Sequence, residues 1–316
     1  MKLPAASANT KLLRFVISID MLLEHSSLLV LLPERRRFAG QDFSSAFKKL
    51  SRKMRVSHDL ASGEIAQLKR HFRITPDNWP LAALCRAEEF GDAAGFQWLR
   101  ADPVYLQAEM HGARIMAWDN LALSSTEQDQ ILAALRPVFG DFGFEFSASS
   151  YGFFYIRALH GSPIPAFTAA PDLLGCDLAE HMPTERKWLA LFNECQIILH
   201  NHPLNVERAK TGRAPINALW FWANGELPAA VNHNFIEVLI DNVDIKALAA
   251  FSQQQTHNQP ATKALIDLRT TRDWQEVEAI FKADTECVFD FSDGVQWQWK
   301  PIYRWCFWRA KSVEFI

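Results

Sequence analysis

The sequence predicts an α/β (α+β) protein in which helices pack on a mixed or antiparallel sheet. Three observations carry this. Short β-rich apolar runs come in pairs with tight-turn residues between them. Segments with apolar residues three and four apart are interleaved with those pairs. Near the C-terminus, Ser292-Asp293-Gly294 separates two aromatic runs, a hairpin signal.

Taken in order, residues 15–19 (Phe-Val-Ile-Ser-Ile) read as a buried strand ending at Asp20. Ile65, Leu68 and Phe72 share a face and predict a helix over residues 62–72, which Thr75-Pro76-Asp77-Asn78 breaks. A short helix is expected over residues 81–90, followed by Gly91 and Gly95. Residues 104–110 and 114–118 read as strands joined by a turn at His111-Gly112. Ser124 and Glu127 have capping-box spacing, and Ile131, Leu132, Leu135 and Val138 continue a helix behind them. Residues 142–147 and 151–159 form another expected strand pair. This β-β-α-β-β order suggests helices on one face of the sheet.

A helix over residues 184–199 places Trp188, Leu191, Cys195 and Ile198 on one stripe. Pro203 ends it, and a long polar connection is expected beyond. Strands at 216–222 and 235–240, helices at 244–251 and 273–281, a surface loop at 252–259 and the hairpin strands 287–291 and 295–299 complete the chain.

The chain has 316 residues, 49% hydrophobic and 22% charged, ordinary values for a globular protein. A basic region over residues 1–100 and a second domain over 101–316 are expected, or else one domain, since no flexible composition marks the division. The net charge of -3 gives no overall attraction to polyanions. Residues 1–75 nevertheless hold 14 Lys and Arg against 6 Asp and Glu, concentrated at Arg35-Arg36-Arg37 and at Lys48, Lys49, Arg52, Lys53 and Arg55. Such a patch either attracts phosphates or is a solvated charged face. Five widely spaced cysteines with no C-x-x-C favour reduced thiols in a cytoplasmic protein. Residues 12–32 are apolar but interrupted by Arg14, Asp20, Glu24 and His25, so neither a membrane span nor a secretory signal is expected.

The densest constellation is His202-Pro203-Leu204-Asn205-Val206-Glu207-Arg208, followed by Gly212, Pro215 and Asn217. Arg208 offers a planar fork for a carboxylate or phosphate, and the amides of Asn205 and Asn217 both donate and accept. Two readings stand: a small anion pocket built from His202, Asn205, Arg208 and Asn217, or a connection tied down by bonds to its own backbone. His200 and His202 follow a helix and precede proline, so they are not expected to share a metal, and no Walker loop, dinucleotide fingerprint or catalytic-triad signature is present. Trp297, Trp299, Trp305 and Trp308 would form either a stacking platform or a core face.

The segment from His202 to Asn217 resembles archaeal-type, cofactor-independent phosphoglycerate mutases, whose pattern is roughly H-P-x-N-x-E-R-x-x-x-G-x-x-P-x-N. The resemblance implies the smaller domain that covers the catalytic one. The mutase pattern continues with Arg-Gly-x-Gly, where this chain has Trp222-Ala223-Asn224-Gly225, and an indole cannot neutralise a phosphate. Mutases of this type use a two-metal site with a nucleophilic serine. Asp20 is the one N-terminal ligand candidate, and His257 is the single histidine after residue 256.

The blocks Leu84-Cys85-Arg86-Ala87-Glu88, Trp98 to Val104, Trp188 through Asn193-Glu194-Cys195-Gln196, Leu199 through Gly225 and Arg304-Trp305-Cys306-Phe307-Trp308-Arg309 resemble a proteobacterial family of RpfE-like proteins. That resemblance implies a regulatory association and no particular reaction. The reading leans away from an enzyme, toward a regulatory or small-anion-binding protein without cofactor or metal. The expected ligand is a small phosphorylated or carboxylate compound, and a protein partner is the other class admitted. A divergent mutase or phosphotransferase, and a nucleic-acid-associated protein using the basic region, are the alternatives. Nucleic acid and membrane are not expected partners.

Overall fold

The computed structural model describes residues 27–109, 112–239, 242–253 and 263–306. The expected strand at 15–19, Asp20, the polar stretch beyond Gln253, and Phe307, Trp308 and Arg309 lie outside the described residues.

The elements follow in chain order. The first part holds β1 (Ser27–Leu32), α1 (Ser45–Ser51), β2 (Arg55–Ser57), α2 (Glu64–Lys69), β3 (Arg73–Thr75) and α3 (Leu81–Phe90). Next come β4 (Phe96–Glu109), β5 (Gly112–Ala117), α4 (Ser125–Asp141), β6 (Glu145–Ala148) and β7 (Phe154–Leu159). Then follow α5 (Arg186–His200), α6 (Pro203–Lys210), β8 (Ala218–Gly225), β9 (Ala230–Asn232), β10 (Phe235–Leu239) and α7 (Val243–Gln253). The chain continues with β11 (Lys263–Asp267), α8 (Trp274–Ile280), β12 (Cys287–Phe291) and β13 (Gln296–Trp299). This is a mixed α/β protein. Two compact units divide it: Met1–Phe72 with Asn232–Asn242 and Thr256–Ile316, and Arg73–Val231 with Val243–Gln255. Residue 100, near which the sequence suggests a division, lies within β4.

The first unit is built on a sheet of order β10-β11-β1-β12-β13-β2. Strand β1 pairs in parallel with both β11 and β12. Leu28 to Leu32 are all buried, because a central parallel strand is covered on both faces and needs a continuous apolar run. Alternation is absent from such a run, so neither β1 nor β11 was legible as a strand. The antiparallel hairpin of β12 and β13 sets Phe289 opposite Trp297 and Cys287 opposite Trp299. Both indoles are buried and pack among Phe281, Phe291 and Trp274. They are core side chains rather than a stacking platform, whereas Trp305 is exposed.

The second unit has a sheet of order β5-β4-β7-β6, with β8 also paired to β4. Successive residues point to opposite faces. Phe221, opposite Ala101, meets Phe139 of α4 and Trp188 and Phe192 of α5. Trp222, opposite Arg100, faces the other way, where Arg100 bonds Asp244 of α7. Helices therefore cover both faces, not the single face expected. Helix α4 opens with the anticipated capping box between Ser124 and Glu127. Strand β4 starts at Phe96, earlier than expected, because residues 96–101 also pair with β7.

Gly294 makes the β12–β13 turn at φ +81°, and its carbonyl accepts the Leu60 N–H at 3.1 Å. A Cβ there would overlap the Leu60 carbonyl oxygen. Gly294→Ala is expected to destabilise the protein by more than about 1 kcal/mol, because it combines a left-handed backbone with a steric clash. A urea midpoint equal to that of the parent chain would refute this.

Candidate functional site

The segment from His202 to Asn217 is not a long irregular connection. Pro203 opens a helix, α6, instead of merely ending α5, because proline suits the first helical position, where no N–H partner is needed. His202 is the N-cap, and its Nδ1 accepts the Leu204 N–H at 3.2 Å. Burial lowers the His202 pKa below its usual 6.5, which favours the neutral ring that this acceptor role requires.

The remaining side chains of the constellation bond inward. Asn205 donates to the carbonyls of Leu199 and Ile216 at 2.8 and 2.9 Å and accepts the Ile216 N–H at 2.8 Å. Asn217 accepts the Leu106 N–H and donates to the Leu106 carbonyl, both at 2.8 Å, extending the β8 ladder along β4. Arg208 is fully buried. Its Nε donates to the Ala214 carbonyl at 2.7 Å, Nη1 to Glu127 at 3.0 Å, and Nη2 to the Leu121 carbonyl. His200 is exposed at the end of α5.

Arg208 also reaches a cavity wall. The Leu121 carbonyl it holds belongs to the loop that borders a cavity of about 230 Å³ lined by Arg100, Asp102, Trp118, Tyr151 and Phe153, among others. Asp119 and Ala122 in this loop have φ of +47° and +48°, unusual for residues with a Cβ. Sequence reasoning missed the floor of this cavity. Arg100 and Asp102 are nearly fully buried and joined by two hydrogen bonds of 3.0 and 3.1 Å, and Arg100 Nη1 donates to Asp244 at 2.7 Å. The indoles of Trp118 and Trp222 both donate to Asp102 Oδ2, at 2.6 and 2.9 Å. Burial alone would lower the Arg100 pKa, but Asp102 and Asp244 outweigh it and hold the guanidinium charged. An Arg-x-Asp alternation inside an apolar strand puts both charges on one face, and that was the available signal.

At the other end of β8 is an open cleft of about 740 Å³, lined by Asn78, Gln97, Asn224 and Glu226 together with small and aliphatic residues. These amides also escaped sequence reasoning, because they come from three separate elements.

In the first unit, the acidic residues at the C-terminal ends of β11 and β12 are each paired with a cation. Asp290 is fully buried and receives Arg70 at 2.7 and 3.0 Å, as well as His71. Asp267 receives Arg269 at 2.9 and 3.0 Å, and Asp293 receives Arg35 at 2.8 Å. Arg37 donates to the Arg269 carbonyl. Part of the basic N-terminal patch is thus tied into this edge. Among the described residues, no three His, Cys, Asp or Glu side chains converge as a metal site requires. The five cysteines are free, and burial pushes the Cys85, Cys195 and Cys287 thiols up, Cys195 to about 12. No helix among the described residues is long and apolar enough to cross a membrane.

No family model matches the chain. A probable 2,3-bisphosphoglycerate-independent phosphoglycerate mutase of Geobacter sulfurreducens is 26% identical over 110 residues, 34% of this chain and 27% of that protein. The 2,3-bisphosphoglycerate-independent phosphoglycerate mutase of Methanosarcina barkeri is 30% identical over 64 residues, 19% of this chain and 16% of that enzyme. The chain thus matches less than a third of the length of either relative. Among solved structures, a cofactor-independent phosphoglycerate mutase from Thermoplasma acidophilum aligns over 86% of this chain and 89% of its own, with 15% identity and a TM-score of 0.37. The PH0037 protein from Pyrococcus horikoshii aligns over 87% of both chains, with 11% identity and a TM-score of 0.39. Over the matched residues, part of the chain is similar in sequence to 2,3-bisphosphoglycerate-independent phosphoglycerate mutases.

Two outcomes follow for the His202–Asn217 segment. Asn205→Ala removes the side chain that pairs both the N–H and the carbonyl of buried Ile216 and is expected to cost about 1–3 kcal/mol in chemical denaturation. Glu127 is pulled by burial toward a higher pKa, but hydrogen bonds from Ser124 and Arg208 outweigh this and hold it below its usual 4.5. A depressed folded-state pKa stabilises the fold above the unfolded value and loses that contribution as pH falls through the folded value. The destabilisation caused by Glu127→Gln should therefore be full at neutral pH and shrink below about pH 4.5. A deficit independent of pH would contradict the ion-pair account.

Proposed function

We propose that the chain is a small-ligand-binding relative of the cofactor-independent phosphoglycerate mutases, in which the shared segment braces the fold and phosphoglycerate turnover is absent. The observation that carries this is Arg208. All three of its nitrogens donate inside the protein, and its one charged partner is Glu127 of the helix α4 capping box. A guanidinium committed in this way has no face to offer a phosphate. His202, Asn205 and Asn217 support the same reading, since each bonds to backbone groups.

The carboxylates at the sheet edge give further support. Ligands of open α/β sheets gather beyond the carboxyl ends of the strands. Here Asp267, Asp290 and Asp293 meet arginines there, and a guanidinium beside a carboxylate competes with a hard divalent cation for its oxygens. The regulatory association implied by the RpfE-like resemblance fits a protein that binds without converting. We place such a protein in the cytoplasm, where its free thiols would stay reduced.

The assay is direct. The full chain, supplied with manganese, cobalt or zinc and 3-phosphoglycerate, is expected to form no 2-phosphoglycerate above a protein-free blank. Arg208→Ala is expected to cost about 1–3 kcal/mol of stability by leaving the Ala214 and Leu121 carbonyls without this donor and Glu127 with Arg213 as its remaining cation, with or without 3-phosphoglycerate present. Metal-dependent turnover by the parent chain would establish a divergent mutase and overturn the proposal.

A further inference from the structure

The open cleft at the C-terminal end of β8 points to a ligand class. Three side-chain amides meet there: Asn78 from the loop after β3, Gln97 from the start of β4, and Asn224 from the end of β8. None of the three has a side-chain hydrogen-bond partner among the described residues. Each amide carries two donors and an accepting oxygen, so the cleft presents unused capacity of both kinds. No lysine or arginine is among the residues that line it. The single charged group there is Glu226, which His160 holds at 2.6 Å.

The backbone is shaped to make this arrangement. The β4–β8 register shifts between Trp98 and Arg100. Ala223 lies at φ +58°, in the left-handed region that a residue with a Cβ rarely enters. Such irregularities re-aim side chains at strand ends. Here Trp222 bonds Asp102 in the interior, while Asn224 lines the cleft. Gly225 closes the packing: a Cβ there would approach Pro80 Cβ to 2.7 Å and the Asn78 amide nitrogen to 3.5 Å. The glycine lets the loop bearing Asn78 come close to the strand bearing Asn224.

We propose that this cleft binds a neutral carbohydrate. Hydroxyl groups donate and accept as side-chain amides do, so pairs of them match the lining without any net charge. A carboxylate fixed by histidine accepts two hydroxyls. Ile164, Ala166 and Leu227 supply apolar surface for the C–H face of a sugar ring. The volume, about 740 Å³, lies within the range of small-molecule sites. A phosphate or carboxylate would meet Glu226 and no cation. The inference rests on the binding reading above and supplies its ligand class.

The test uses the full chain and isothermal titration with glucose, galactose, mannose, maltose, cellobiose and sucrose, alongside glucose 6-phosphate and 3-phosphoglycerate. At least one neutral sugar is expected to bind, and Gln97→Ala and Asn224→Ala are each expected to weaken it about tenfold or more. Circular dichroism melting checks that both variants remain folded. Binding by no neutral sugar, binding that both folded variants leave unchanged, or binding by the phosphorylated compounds alone would overturn the carbohydrate assignment. Failure of the sugars while 3-phosphoglycerate stays unconverted removes the cleft and leaves the binding reading standing. Conversion of 3-phosphoglycerate removes the binding reading itself.

Discussion

The second unit depends on one buried guanidinium. Arg208 joins the connection between α6 and β8, the N-terminus of α4 and the loop before that helix through its three nitrogens. A fully buried cation is tolerable only when its partners satisfy it, and Glu127 supplies the charge. Glu127 in turn caps α4 through Ser124 and also receives Arg213 from the surface side. The brace therefore couples a helix cap, a strand entry and the wall of the cavity over Arg100 and Asp102. Any ligand in that cavity would feel Arg208 through the Leu121 loop and would not touch it.

The first unit shows the same economy of charge in a different setting. Its sheet edge carries three carboxylates in the place where α/β proteins generally bind ligands. Each is matched by an arginine from a neighbouring loop: Arg70 on Asp290, Arg269 on Asp267, Arg35 on Asp293. Arg70 binds Asp290 through two nitrogens, a geometry that fixes direction as well as distance. Arg35 and Arg37 belong to the basic run that suggested a polyanion surface, and part of that positive charge is neutralised at this edge. The composition of the N-terminal region alone could not show this, because Asp293, the acidic partner of Arg35, lies 258 residues away.

Local signals were legible in the sequence and long-range ones were not. The capping box at Ser124 and Glu127, the helix Leu81–Phe90 and the hairpin around Gly294 were readable because their physics lies within a few residues. Strands β1 and β11 were missed because burial on both faces erases the alternation that marks a strand. Pro203 was read as a stop because proline ends helices and also begins them, and only the His202 cap decides which. The motif residues were visible as candidates, but their contacts were not. Asn205 and Asn217 have the same donors and acceptors whether they hold a ligand or a backbone, and the choice lies with Ile216 and Leu106 across the fold.

The replacement at Trp222 links these observations. The mutase-like pattern expects a cation at that point, at the end of a strand. In this chain the register puts Trp222 opposite Arg100 on β4, and the guanidinium lies 4.7 Å from the indole ring. The local positive charge thus stands on the adjacent strand, buried against Asp102 and Asp244. A second arginine at 222 would put two guanidiniums beside Asp102 and remove both the ring face over which Arg100 lies and the indole N–H that Asp102 accepts. With Trp222 turned inward, the exit of β8 reaches the cleft through Asn224, an uncharged amide. The cleft at the exit of β8 is thus lined by the amides of Asn78, Gln97 and Asn224 beside Glu226, with no lysine or arginine among its lining residues.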